Sequence, residues 1–343
     1  MNIDKVTFYN LGDLEPIPGH GENGLVRIPK HIRKCLNERA RFVGKESVGV
    51  EIRFVTDAPI IDIYISATEP EFDTRIAILR VYKGNHLVDT IEMEPGVFKF
   101  YRIQTPPHFR NVNEKMFDQG GFSPNVWRVV CDRPVYILQG IDVHGHEMRP
   151  PKIEELPKYN WLAYGSSITN ANLDGYVHVA AAKLRVQVQN KGLSGACHME
   201  KELIDYMLDE CDSDFMTFEL GINMAGWCEP NDFKKRAEYL VERLVEMKKP
   251  AVLISAFPNR RNSYYAKTPG EESIRLDAYE QIMEELVQKK NCKTLAMVKG
   301  EEILSDIYGL RADMLHPTVY GSCVMGLNLA KKLEVFMKEN ELQ

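Results

Sequence analysis

A serine at the end of an apolar strand, and an aspartate three residues before a histidine far downstream, are the residues of this sequence best suited to do chemistry. Ser167 follows the run Trp161-Leu162-Ala163-Tyr164 and the pair Gly165-Ser166, and a helical pattern begins a few residues later at Asp174. A strand-to-helix turn at the carboxyl edge of a parallel sheet is where such folds present reactive groups. In Asp313-Met314-Leu315-His316 the carboxylate can reach the imidazole Nδ1, leaving Nε2 to accept a serine proton. Pro317 biases His316 away from the helical region, which keeps both side chains on a loop. Attack of a serine on a carbonyl also needs donors for the developing oxyanion. Gly195 lets a backbone N–H approach without steric cost, and Asn223 offers a side-chain amide; each follows an expected strand of the same sheet. Taken singly, every one of these has an ordinary structural use: Asp-x-x-His recurs by chance, Gly195 suits a tight turn and Asn223 an Asx-turn.

Competitors for these roles are weaker. His178 falls inside an expected helix and His198 opens the next, and neither has an aspartate placed to orient it, so both read as structural. Cys197 lies near Gly195 but has no activating histidine at a suitable spacing. Trp227 and Arg260 would sit beside the same sheet edge. Trp227 suits core packing and pocket lining equally, and Arg260 suits either a solvated face or contact with an anionic substrate group. His144-Gly145-His146 has no accompanying ligand set and reads as surface rather than as a metal site; the serine chemistry requires no metal and no cofactor.

Positioning these residues is the task of the second half of the chain. Strands at 160–164, 186–190, 214–220, 250–256 and 294–298 alternate with helices near 174–184, 198–210, 231–247, 270–290 and 323–338, the pattern of a parallel sheet covered on both faces. The first half differs in texture. Val48 to Val55, Ile60 to Ser66, Arg75 to Tyr82, Thr90 to Met93, Phe98 to Ile103 and Trp127 to Gln139 are β-branched or alternating runs separated by turn groups, which predicts a β-sandwich or jelly roll. Ile32 to Arg41 is the exception, a short helix or turn-rich connection. Three prolines mark His146 to Lys158 as a linker. The expected domains are therefore 1–148, an all-β sandwich, and 149–343, an α/β domain.

A length of 343 residues with 44% hydrophobic and 27% charged residues suits two globular domains, and the net charge of -6 provides no basic face for nucleic acid or anionic lipid. No apolar run reaches the roughly 18 residues of a membrane span, and the first residues carry no signal pattern, so the expectation is a cytoplasmic protein with no membrane and no nucleic-acid partner. The seven cysteines are scattered without a CxxC pair, which argues against a disulfide framework.

The order Gly165-Ser166-Ser167, Gly195, Gly221-Ile222-Asn223 and Asp313-Met314-Leu315-His316, on those strand ends, resembles the four sequence blocks of the SGNH (GDSL-type) hydrolase superfamily over roughly 158–340. The resemblance implies a flavodoxin-like three-layer α/β/α domain. It implies Ser167 as nucleophile, His316 as base and Asp313 as its orienter, with the Ser167 and Gly195 N–H groups and the Asn223 amide as oxyanion donors. The superfamily's first block usually reads Gly-Asp-Ser; Ser166 stands where the aspartate would be, which removes a buried carboxylate that braces the turn. With the amino-terminal sandwich, the chain is similar to a subset holding carbohydrate-directed acetyl esterases and some acyltransferases. The expected activity is that of a carboxylic ester hydrolase acting on a small acyl ester, an O-acetyl carbohydrate being the leading substrate. The alternatives are acyl transfer to a hydroxyl other than water and a catalytically silent glycan-binding protein; a homo-oligomer is left open.

Overall fold

Alternation decides the architecture of the first half. In the strand Ala77–Lys83 every second residue is buried, as expected of one face of a sheet packed on a core and the other toward water. The computed structural model describes residues 3–69, 76–117, 119–171 and 173–342. The chain divides into two compact units, Met1–Lys30 with Gly44–Lys158, and His31–Val43 with Tyr159–Gln343.

Among the described residues the first unit holds ten strands: β1 (Thr7–Tyr9), β2 (Asp13–Ile17), β3 (Gly21–Val26), β4 (Glu51–Val55), β5 (Ile60–Ala67), β6 (Ala77–Lys83), β7 (His86–Met93), β8 (Lys99–Gln104), β9 (Val126–Cys131) and β10 (Tyr136–Asp142). They form two five-stranded antiparallel sheets, in the orders β1-β4-β9-β6-β7 and β2-β3-β10-β5-β8. One core is shared between them: Ile52, Phe54, Leu79, Val81 and Trp127 from the first sheet meet Ile61, Ile63, Ile65 and Leu138 from the second. This is the expected sandwich. The run Trp127 to Gln139, read as one strand, is two; the ladder breaks at Asp132–Val135, where Pro134 has no N–H to donate. The strand expected from Arg75 begins at Ala77, and Arg75 itself lies outside the described residues. Strands β1 to β3 are short and carry Pro16, Gly21 and Gly24, which hid them from a propensity reading.

The proline-rich segment after β10 belongs to the sandwich. Arg149 exchanges both backbone hydrogen bonds with Val55, and its guanidinium holds Glu155 at 2.7 Å. The second unit consequently starts at Tyr159 rather than at 149. Residues 31–43 carry most of the one-turn helix α1 (Lys30–Arg33) and all of α2 (Glu38–Val43), in keeping with the short-helix alternative for Ile32 to Arg41, but against expectation they pack with the second unit.

In the second unit β11 (Asn160–Tyr164), β12 (Gln187–Asn190), β13 (Phe215–Glu219), β14 (Ala251–Ile254) and β15 (Leu295–Val298) make one parallel sheet in the order β12-β11-β13-β14-β15. That is the flavodoxin-like order. Every residue of β13 and β14 is buried, as strands covered on both faces must be. The helices are α3 (Tyr176–Leu184), α4 (Lys201–Asp209), α5 (Pro230–Met247), α6 (Glu271–Lys290), α7 (Gly300–Ile303) and α8 (Val319–Glu339). They fall into two sets, α3 and α7 against α8 and the succession α4, α5, α6. Spacing explains the second set: α5 buries Phe233, Ala237, Leu240, Val241 and Leu244, a stripe at helical period, and Phe233 stacks on Tyr279 of α6 at 3.9 Å. Thr318 caps α8 by accepting the Gly321 N–H, which starts the helix four residues before the expected 323.

Candidate active site

The carboxyl ends of β11, β12 and β13 and the approach to α8 each deliver one part of the site. Past Tyr164 the chain turns sharply, with the Asn170 N–H bonded to Ser166 O at 2.9 Å, and this turn presents half-buried Ser167. Ser167 Oγ lies 2.9 Å from His316 Nε2, and His316 Nδ1 lies 2.7 Å from Asp313 Oδ2. The loop bearing the last two is closed on itself: Arg311 N–H donates to His316 O at 2.8 Å, and Leu310 bridges to Pro317. Within it, Asp313 Oδ1 accepts the Leu315 and His316 N–H groups, each at 3.0 Å. Burial pushes the Asp313 carboxyl up, but the hydrogen bonds from the His316 ring and from these two N–H groups outweigh it and hold the carboxyl below its ordinary 3.8. An ionised Asp313 fixes the imidazole with a proton on Nδ1, so Nε2 can accept from Ser167.

The loop after β12 approaches the serine turn closely. Leu193 N–H donates to Gly165 O at 2.8 Å, and a Cβ on Gly192 would meet Asn170 N at 2.4 Å. Gly195 is exposed on this loop with φ +69, a left-handed conformation that glycine adopts without strain. Asn223 follows β13, and its Oδ1 accepts the Cys197 N–H at 3.2 Å, which fixes the amide so that Nδ2 is the end left to donate. The indole of Trp227 donates to Asn223 O at 3.1 Å and holds the same residue from its backbone side.

Residues 163–322 match the model of the family described as GDSL-like lipase/acylhydrolase. Over these residues the chain is similar to a GDSL-like lipase/acylhydrolase domain. Solved structures extend the likeness to both units: a salicylyl-acyltransferase, SsfX3, from a tetracycline biosynthetic pathway (TM-score 0.78, 14% identity, covering 96% of this chain and 94% of that one). A GDSL-like lipase from Bacteroides ovatus follows, with TM-score 0.70, 17% identity and coverage of 99% and 97%. A family two carbohydrate esterase from Cellvibrio japonicus has TM-score 0.57, 12% identity and coverage of 98% and 96%. At these identities the likeness establishes the two-domain fold. No curated protein is matched by sequence.

The second unit compensates for Ser166 with a carboxylate from another strand. Glu219, the last residue of β13 and 1% exposed, accepts the Ser166 N–H on Oε2 at 2.6 Å and the Thr169 hydroxyl at 3.2 Å. Gly165 makes room for it, since a Cβ there would stand 2.6 Å from that oxygen and 2.3 Å from Thr169 Oγ1. Burial pushes the Glu219 carboxyl above its ordinary 4.5 despite the hydrogen bonds from Ser166 and Thr169 that pull it down. The expectation that Ser166 leaves the turn without a buried carboxylate is therefore corrected. Glu219 stands in a run of apolar strand residues, and only the pairing of β11 with β13 brings it to the serine turn.

Other candidates find plainer places. Trp227 is 50% exposed and therefore not core; its ring packs edge-on against His198 at 4.9 Å. Burial pushes the His198 imidazole below its ordinary value, Glu200 opposing, and its carbonyl accepts from Arg236 at 2.8 Å. Cys197 is buried, and burial together with Glu219 pushes its thiol well up, so it stays protonated. Arg260 has an exposed side chain lining a cavity of about 270 Å³ with Gly226, Arg261 and Arg275, and its N–H donates to Met314 O at 2.8 Å. Among the described residues no hydrogen bond or ion pair joins its guanidinium to Ser167, Asp313 or His316. Sequence reasoning missed Glu219 as the brace and the segment around Asn37 and Arg39, which grips the loop of Gly195.

Proposed function

We propose that this chain is a serine esterase that hydrolyses a small acyl ester through an acyl-serine intermediate, with an O-acetyl carbohydrate as the leading substrate class. The observation that carries the reading is the continuous line of contacts Ser167 Oγ to His316 Nε2 at 2.9 Å and His316 Nδ1 to Asp313 Oδ2 at 2.7 Å. In the reaction His316 takes the Ser167 proton as Oγ attacks the ester carbonyl. The Gly195 N–H, the Asn223 amide and the Ser167 N–H stabilise the oxyanion, and His316 returns the proton to the departing alcohol. Water, activated by the same imidazole, then releases the acid. Support for acetylated sugar comes from the fold shared with family two carbohydrate esterases and an acetyl xylan esterase. We further propose a cytoplasmic setting, on the scattered unpaired cysteines.

Acyl transfer to another hydroxyl is the second reading, favoured by the likeness to a salicylyl-acyltransferase over 96% of the chain. Labelling the purified protein with a fluorophosphonate and mapping the adduct tests both. A single adduct at Ser167, absent from Ser167→Ala and His316→Ala, is expected, together with acetate release from O-acetyl sugars. An added polyol that captures the acyl group in place of water would favour transfer. A folded wild type that takes no label would overturn both and leave a silent binding protein.

A further inference from the structure

The oxyanion loop is gripped by a stretch of chain that lies well over a hundred residues before it in sequence and packs in the same unit. Asn37 caps α2 by accepting the Ala40 N–H on Oδ1 at 3.0 Å. Its Nδ2 reaches Ala196 O at 3.3 Å and the Glu200 carboxylate, so one side chain starts the helix and ties it to the loop. Two residues on, in the first turn of α2, half-buried Arg39 donates from Nε to Ser194 O at 3.0 Å. The guanidinium lies directly over the next residue: a Cβ on Gly195 would stand 2.9 Å from Arg39 Nε. Glycine at 195 is thus favoured twice, for its positive φ and for this approach.

Ser194 O and the Gly195 N–H belong to one peptide unit. In a planar trans peptide the carbonyl and the N–H point in opposite directions. A cation holding Ser194 O therefore aims the Gly195 N–H the other way, and a charge-assisted bond at the carbonyl polarises the peptide, making that N–H a stronger donor. We propose that Arg39 is a positioning residue that orients and polarises the Gly195 N–H as an oxyanion donor, with Asn37 fixing the helix turn that carries it. The inference rests on the esterase reading above. Its contribution is made in the transition state, where the carbonyl oxygen gains charge, and so it appears in kcat rather than in KM.

The test is steady-state hydrolysis of p-nitrophenyl acetate by the full chain and its variants, with melting temperatures alongside. Removing a direct oxyanion donor costs about 10²–10³ in kcat. Arg39→Ala, acting through one such donor, is expected to lower kcat by about 10–100-fold with KM changed by less than about threefold. Millimolar guanidinium is expected to restore part of it. Arg39→Gln, which keeps a neutral donor, is expected to fall between wild type and Arg39→Ala, and Asn37→Ala to show a smaller loss of the same kind. Arg39→Ala turning over at the wild-type kcat would overturn the inference. So would a loss that guanidinium leaves untouched and that follows a fall in melting temperature, since that assigns Arg39 to folding. Ser167→Ala separates the two levels: if it stays active, the esterase reading itself fails; if it is dead while Arg39→Ala is normal, only the role of Arg39 fails.

Discussion

Two carboxylates flank Ser167, and they are opposites. Asp313 is 48% exposed by its side chain, sits on a short loop, and is held below its ordinary value by His316 and its neighbours' N–H groups. Glu219 is buried at the end of a central strand and is pushed above its ordinary value by the loss of water. On the esterase reading proposed above, the first has to be charged, because its work would be to hold an imidazole in one tautomer and to balance the charge the imidazole gains. The second has to be present and correctly shaped, because its work is to accept the Ser166 N–H and the Thr169 hydroxyl in a place water does not reach. Charge serves the moving proton, and shape serves the turn. The same functional group does both, and the surroundings decide which.

Removing charge without shape separates them most sharply. Asp313→Asn should lower kcat by about 10⁴-fold, the cost expected when an orienting carboxylate becomes an amide and the imidazole takes the wrong tautomer. Its melting curve should barely move, since the group is half exposed. Glu219→Gln should keep kcat within about tenfold of wild type, as the amide oxygen can still accept the Ser166 N–H. Equal losses in the two amide variants, measured as kcat on one ester, would break the comparison.

Removing shape comes next in size. Glu219→Ala leaves the Ser166 N–H and the Thr169 hydroxyl without their acceptor and opens a cavity, a change expected to cost about 1–3 kcal/mol for the stranded donor before any cavity cost. Gly165→Ala attacks the same brace from the other side, because the added methyl overlaps both Glu219 Oε2 and Thr169 Oγ1. Urea unfolding should show both variants less stable than wild type, and fluorophosphonate labelling of Ser167 should slow in both. A Gly165→Ala protein as stable and reactive as wild type would show that the turn does not depend on the carboxylate.

How far the sequence disclosed this site follows from the range of each interaction. Asp313 and His316 are three residues apart and followed by proline, so their pairing is local and readable. Ser167, Gly195 and Asn223 could be placed together because strands that alternate with helices put their carboxyl ends on one edge, whatever the details of packing. The β-sandwich was readable from alternation, though strands rich in proline and glycine such as Asp13–Ile17 and Gly21–Val26 were not. Glu219 and Arg39 needed tertiary knowledge. A lone glutamate at the end of an apolar strand says nothing about which neighbour it will brace until the pairing of β11 with β13 is known. An arginine in a connection within the β-rich half carries no sign that its segment packs with the other unit.

The finest difference between the two carboxylates is the direction in which each couples stability to pH. A carboxyl whose folded value is raised binds its proton more tightly folded than unfolded. Its contribution is fully present below the ordinary 4.5 of Glu219 and is lost as pH rises through the folded value. A carboxyl whose folded value is lowered does the reverse, so Asp313 contributes above its ordinary 3.8 and loses that contribution as pH falls through the lowered value. The two windows lie on opposite sides of the ordinary carboxylate range, which makes them separable in one experiment. Melting wild type, Glu219→Gln and Asp313→Asn between about pH 3 and 8 should show the Glu219→Gln protein gaining on wild type as pH rises above 4.5. Asp313→Asn should instead converge on wild type only at the acid end, by a smaller amount because solvent screens the half-exposed group. Curves for wild type and Glu219→Gln that stay parallel throughout would mean that Glu219 is ionised in its buried place at no cost. The contrast with Asp313 would then be one of position alone.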